Sequence, residues 1–103
     1  MSKKITEKWV KDKCVLILKQ IGAYYFFPVA SGYMQSGVPD IVACYKGNFI
    51  GIECKANKNT PTKLQLKNLN SIEIAGGKAF VINEHNVDIL EMLITGKQKV
   101  NET

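Results

Sequence analysis

With 103 residues, 46% of them hydrophobic, the chain can bury one sizeable core but hardly two, so residues 1–103 are expected to form a single domain with no separate regulatory module. A net charge of +5 suits either a polyanionic partner or a solvated basic surface. All 14 basic residues are Lys, and guanine edges are read mainly by Arg, so phosphate contact is favoured over base reading.

In chain order, residues 3–21 place Val10, Cys14, Ile17 and Ile21 on one stripe of an amphipathic helix that should stop before Gly22. Lys3, Lys4, Lys8, Lys11, Lys13 and Lys19 mostly fill the remaining surface. Glu7, three positions before Val10, continues the apolar stripe: it either points inward or sits at the helix start because the dipole favours an acid there. Residues 23–30, AYYFFPVA, form an extended segment that Pro28 confines to an edge or ends. SGYMQSG is a loop. Val38–Tyr45 and Phe49–Lys55 are two strands joined across Lys46-Gly47-Asn48. A helix over 60–75 follows, with Thr60 as its N-cap and Gly76-Gly77 as its stop. Residues 78–83 make a further strand and 86–95 a last helix with Val87, Leu90 and Ile94 on one side. The polar tail from Gly96 is expected to fray, so residues 97–103 are set apart as a flexible tail.

A helix crossing over to a final strand implies a mixed α/β fold: a central mixed sheet flanked by helices, which accounts for strands that are apolar on both faces. No apolar stretch approaches the ~20 residues a membrane span needs, and the Lys-rich start is unlike a signal peptide, so a soluble, cytoplasmic protein without a membrane partner is expected. Cys14, Cys44 and Cys54 are an odd set with no CxxC pair, against a disulfide framework or zinc cluster; all three are expected to be small buried hydrophobes. His85, between Glu84 and Asn86 at a loop-to-helix junction, is assigned no chemistry.

The charges inside GVPDIVACYKGNFIGIECK (37–55) are the chain's most informative feature. If the hairpin closes symmetrically at Lys46-Gly47, Tyr45 pairs with Asn48 and, counting outward, Asp40 falls opposite Glu53. Lys55, two residues from Glu53, shares its face. A bulge or a three-residue loop would shift the pairing by one and separate the carboxylates. Facing carboxylates repel unless something positive lies between them, so either one of them points to solvent at the sheet edge or the pair holds a cation. Hard oxygen ligands suit Mg²⁺ or Mn²⁺, and the Cys54 backbone carbonyl is a further candidate donor. Such a site can hydrolyse a phosphodiester, with Lys55 orienting or deprotonating the attacking water or stabilising the charge on phosphorus. Glu7, if it points inward, adds a ligand or holds a water. Gln65 shares a helical stripe with Leu69 and Ile72 and faces either the cluster or solvent. Lys58, Lys63 and Lys67 either rim the site as phosphate contacts or form a solvated face.

GVPD, about a dozen residues to ECK, and a following helix with Gln65 together resemble the PD-(D/E)XK nuclease superfamily, and within it the VRR-NUC branch in its small stand-alone form found in phages and bacteria. The resemblance spans roughly residues 7–83, with Asp40, Glu53, Lys55 and Gln65 at the motif positions and Glu7 at the place of the first-helix acid. It implies a restriction-endonuclease-like core whose hairpin carries the active site, dependence on a divalent metal with no small-molecule cofactor, and hydrolysis of DNA. It also implies a homodimer acting on branched DNA such as four-way junctions. A nicking or restriction-type enzyme on ordinary duplex is disfavoured by the lack of Arg and of a recognition domain. A non-catalytic DNA-binding or assembly protein is disfavoured by the intact Asp40, Glu53 and Lys55.

Overall fold

A computed structural model describes residues 4–29 and 37–97. Lys3, Ala30 at the end of the expected extended segment, residues 31–36 of the expected loop over 31–37, and the tail beyond residue 97 lie outside them. The described elements are α1 (Glu7–Ile21), β1 (Tyr24–Phe26), β2 (Ile41–Tyr45), β3 (Asn48–Cys54), α2 (Lys63–Ile74), β4 (Lys78–Ile82), a short 3₁₀ turn (Val87–Ile89) and α3 (Leu90–Thr95). The four strands form one mixed sheet in chain order, with β1–β2 and β2–β3 antiparallel and β3–β4 parallel. No described helix is long and apolar enough to cross a membrane.

The tip of the β2–β3 hairpin sets the register. Lys46 and Gly47 both have positive φ, +48° and +84°, the requirement of a two-residue type I′ turn. Tyr45 therefore pairs with Asn48, and the ladder runs unbroken to Ile41 opposite Ile52. β2 begins three residues later than its sequence pattern suggests, because Pro39 has no N–H to give a ladder.

Along β3, side chains alternate between two different environments. Ile50, Ile52 and Cys54 join Val10, Cys14 and Leu18 of α1, Ile41, Ile82, Leu90 and Ile94 in the main core. Gly51 and Glu53 face α2 instead. A Cβ on Gly51 would lie 2.5 Å from the Ile72 side chain and 3.1 Å from Pro39, so the missing side chain lets α2 sit close to the sheet.

Three expectations need correction. α1 starts at Glu7, capped by the Thr6 hydroxyl, which accepts from the Trp9 amide. The α2 cap is Thr62 rather than Thr60: a proline disfavours helical backbone in the residue before it, here Thr60, while Thr62 and Gln65 form a reciprocal capping box. Cys14 and Cys54 are buried, but Cys44 is exposed, because it points to the α2 side near the hairpin tip, where Phe49 across the ladder is also half uncovered.

Candidate metal-assisted hydrolytic site

β2 stops pairing at Ile41, and the side chain of Asp40 continues where its backbone does not. Asp40 Oδ2 accepts a 2.8 Å hydrogen bond from the Cys54 amide, while the next amide, Lys55 N–H, turns the other way to the Ile82 carbonyl of β4. A charge-assisted bond of this kind contributes about 1.5–3 kcal/mol. The carboxylate thus caps the open end of the hairpin and is fixed on the face that carries Glu53.

Glu53 is 2% exposed and is the one buried charged residue among those described. Its Oε2 accepts from Gln65 Nε2 at 3.0 Å and lies 3.4 Å from Lys55 Nζ, whose side chain is 12% exposed. Its Oε1 is sequestered from solvent with no donor beside it, although the carboxyl, when protonated, can donate to Asp40. Burial first, and Asp40 second, push the Glu53 carboxyl up to about 7, against a smaller opposing pull from Lys55. Near neutrality the group is therefore poised between losing its proton and keeping it.

Gln65 is held by its own helix start. Its Oε1 accepts from the Thr62 amide at 2.9 Å and its backbone N–H donates to Thr62 Oγ1 at 3.2 Å, which leaves Nε2 to face Glu53. The cap of α2 and the buried carboxylate are thus linked through one amide group. Of the two orientations left open by periodicity, the inward one is found.

An orphaned, desolvated carboxylate oxygen beside a second carboxylate fits a hard divalent cation, since an unsatisfied charged acceptor is expensive to bury and a cation relieves both the desolvation and the repulsion. The thiol of Cys54 is no competitor as ligand: it points into the α1 core, where its hydrogen bond with Cys14 and its burial raise its pKa and keep it protonated.

Glu7 does not join this group. It is exposed in the first turn of α1, where the helix dipole favours it, and among the described residues no three His, Cys, Asp or Glu side chains converge as a metal site. Of the two placements left open for Glu7, the one at the helix start is found, because the core-facing stripe begins only at Val10. Lys58, Lys63 and Lys67 are all exposed. His85 is exposed, and its backbone amide donates to Asn83 Oδ1 at 2.8 Å.

Sequence reading missed the turn that follows Lys55. Asn57 and Lys58 both adopt left-handed backbone, φ +56° and +70°, and the Asn59 amide closes onto the Ala56 carbonyl at 3.1 Å. The signal available was the pair of Asn residues flanking Lys58, since Asn tolerates this conformation better than most residues.

Residues 13–102 match the model of a family described as archaeal Holliday junction resolvase (Hjc). That family lies within the PD-(D/E)XK superfamily named by the motif, and the match gives no support to the VRR-NUC branch. No curated protein matches. Among solved structures, the chain is similar to Archaeoglobus fulgidus Hjc, a Holliday junction resolvase from an archaeal hyperthermophile, with 20% identity and a TM-score of 0.56. The alignment covers 74% of this chain and 66% of that one, a little under two thirds of its length, and supports the restriction-endonuclease-like fold expected from the motif.

Proposed function

Because the chain belongs to the archaeal Holliday junction resolvase family, we propose that it is a divalent-metal-dependent endonuclease that cuts branched DNA, four-way junctions foremost, inside the cell. The observation that carries this reading is Glu53: a carboxylate 2% exposed, with one oxygen unpartnered, beside Asp40 and within 3.4 Å of Lys55. Asp40 and Glu53 would hold Mg²⁺ or Mn²⁺, joined by the Cys54 backbone carbonyl. The cation would neutralise charge on the scissile phosphate and acidify water at the site.

The remaining work falls to the chain's own groups. Asp40 is oriented by the Cys54 amide, so its position does not depend on a flexible side chain finding its place. Gln65 keeps Glu53 in one orientation through the 3.0 Å bond. Lys55 is tethered by Glu53 on the same face, where as the ammonium it would stabilise the developing negative charge on phosphorus, and only as the neutral amine could it take a proton from the attacking water. Lys58, Lys63 and Lys67 are suited to contact backbone phosphates next to the break, which suits a substrate chosen by shape rather than base sequence.

A four-way junction carries two equivalent strands to cut, so one protomer with one site is half of the machine, and we infer a homodimer. A largely apolar groove of about 280 Å³, lined by Phe26, Val38, Pro39, Val42, Asn68 and Ile72 among others, opens next to Asp40 on the same side of the sheet. Equilibrium sedimentation at micromolar concentration tests the point, a monomer throughout being the adverse outcome.

The activity test offers four-way junction, flap, single strand and linear duplex with Mg²⁺, Mn²⁺ or EDTA to the wild type, Asp40→Asn and Lys55→Ala. Cutting should require metal, favour the junction and fall by roughly a thousandfold in both variants, as expected when a group acting in the transition state is removed. Junction binding with no metal-dependent cutting would instead support a non-catalytic DNA-binding protein. Equal cutting of duplex would support a nicking enzyme.

A further inference from the structure

The segment that leaves β3 carries Lys55 and then Lys58, and it is held from the side by a residue with no part in the site as described. Beyond the last ladder bond, Lys55 N–H to Ile82, the chain buries Ala56 and turns through Asn57 and Lys58. Left-handed backbone at Lys58 is a conformation that lysine adopts only when its surroundings impose it. Here the Asn59 amide closes the turn onto the Ala56 carbonyl, and the bonds of Asn57 anchor that turn to the rest of the chain. Its backbone N–H donates to Glu84 Oε2 at 3.1 Å, and its side-chain Nδ2 donates to the backbone carbonyl of Ile5. Glu84 accepts from its own amide and from that of Asn57, which hold its carboxyl below the usual carboxylate range, so it is charged where it is needed as an acceptor.

Asn57 therefore joins three separate pieces of chain: the end of β3, the residues entering α1 and the loop after β4. It does so two residues beyond Lys55 and directly before Lys58. Resting on the nuclease reading above, we propose that Asn57 is a positioning residue for phosphodiester cleavage: its side-chain amide, tied to Ile5, holds the turn that keeps Lys55 against Glu53 and aims Lys58 outward at backbone phosphates. The bond to Ile5 is the specific element. Asp at this position would keep the size and the tolerance for left-handed backbone but would present an acceptor to a carbonyl, and Gly would keep the backbone freedom alone.

The test compares the wild type with Asn57→Asp and Asn57→Gly by single-turnover cleavage of a four-way junction in Mg²⁺, by junction affinity in Ca²⁺ and by thermal midpoint. At a temperature well below both midpoints, each variant should cleave at least ~10-fold more slowly, the scale of a small misplacement of a catalytic group. Junction affinity should change by less than about threefold, because Lys63 and Lys67 remain to hold phosphates. A wild-type rate in Asn57→Gly would overturn the proposal, since Asn57 would then be only a turn former. So would rate and affinity falling together in step with the thermal midpoint, the mark of a merely structural residue. A wild type that cuts no junction would remove the nuclease reading and this proposal with it, whereas a cutting wild type beside equally fast variants sinks this proposal alone.

Discussion

The two faces of the sheet are built from the same strands and could hardly differ more. Toward α1 and α3, β3 presents Ile50, Ile52 and Cys54 to a closed apolar core. Toward α2 it presents Gly51 and Glu53, and there lie the buried carboxylate, its amide partner and an open apolar groove. Because side chains alternate along a strand, stability and chemistry are separated by a single step in sequence. The type I′ turn at Lys46-Gly47 therefore fixes more than a hairpin: a one-residue slip would send Glu53 into the core and an isoleucine into the site.

That separation can be broken from either side. Ile52 is fully buried, and Ile52→Ala should destabilise the protein by about 2–5 kcal/mol in urea unfolding, with cleavage by the folded fraction near normal. Glu53 should behave in the opposite sense. Its folded-state pKa is raised from 4.5 to about 7, so below 4.5 its protonated form is fully compatible with folding, and stability is lost as pH rises through 7. Without divalent metal, the wild type should lose on the order of 2 kcal/mol between mildly acidic and mildly alkaline pH, and Glu53→Gln should remove most of that slope while ending cleavage. An unchanged slope in Glu53→Gln would mean that another group carries the pH dependence.

The smallest effect is expected at the α2 cap. Thr62→Ala removes the hydroxyl that accepts from the Gln65 amide and should cost about 1 kcal/mol in thermal unfolding. Cleavage should fall only slightly, because the Thr62 backbone N–H still holds Gln65 Oε1 and so keeps Nε2 on Glu53. A large loss of activity would show that the hydroxyl, and not the backbone amide, sets the side chain.

The order of elements, the hairpin register and the facing of Asp40 toward Glu53 were legible in the sequence, because each rests on a local rule: helical stripe, two-residue turn, strand alternation. The motif resemblance reached the superfamily that the matching family belongs to, while the VRR-NUC branch named with it found no support. What escaped depended on partners distant in sequence. Asp40 accepts from the amide of Cys54, 14 positions away, and Asn57 reaches Ile5 across 52, neither of which periodicity can signal. Cys44 was misjudged because strand alternation says which face a residue takes and not how far a helix covers that face. For Glu7, in the first turn of a helix, stripe and dipole arguments place the same residue differently, and the dipole placement is the one found. Thr62 was readable, since a Thr three residues before Gln is a capping-box pattern, but the adjacent Thr60-Pro61 offered an apparent cap first.

On the proposed reading, the α2 face holds a divalent cation through Asp40 and Glu53. Calorimetric titration of Mn²⁺ into the DNA-free protein, at about one pH unit below and one above the Glu53 value near 7, tests it most directly. Affinity should rise roughly tenfold between the two, as the competing proton leaves Glu53, and binding should vanish in Glu53→Gln and Asp40→Asn. Equal Mn²⁺ affinity at both pH values, or binding retained in Glu53→Gln, would contradict the assignment.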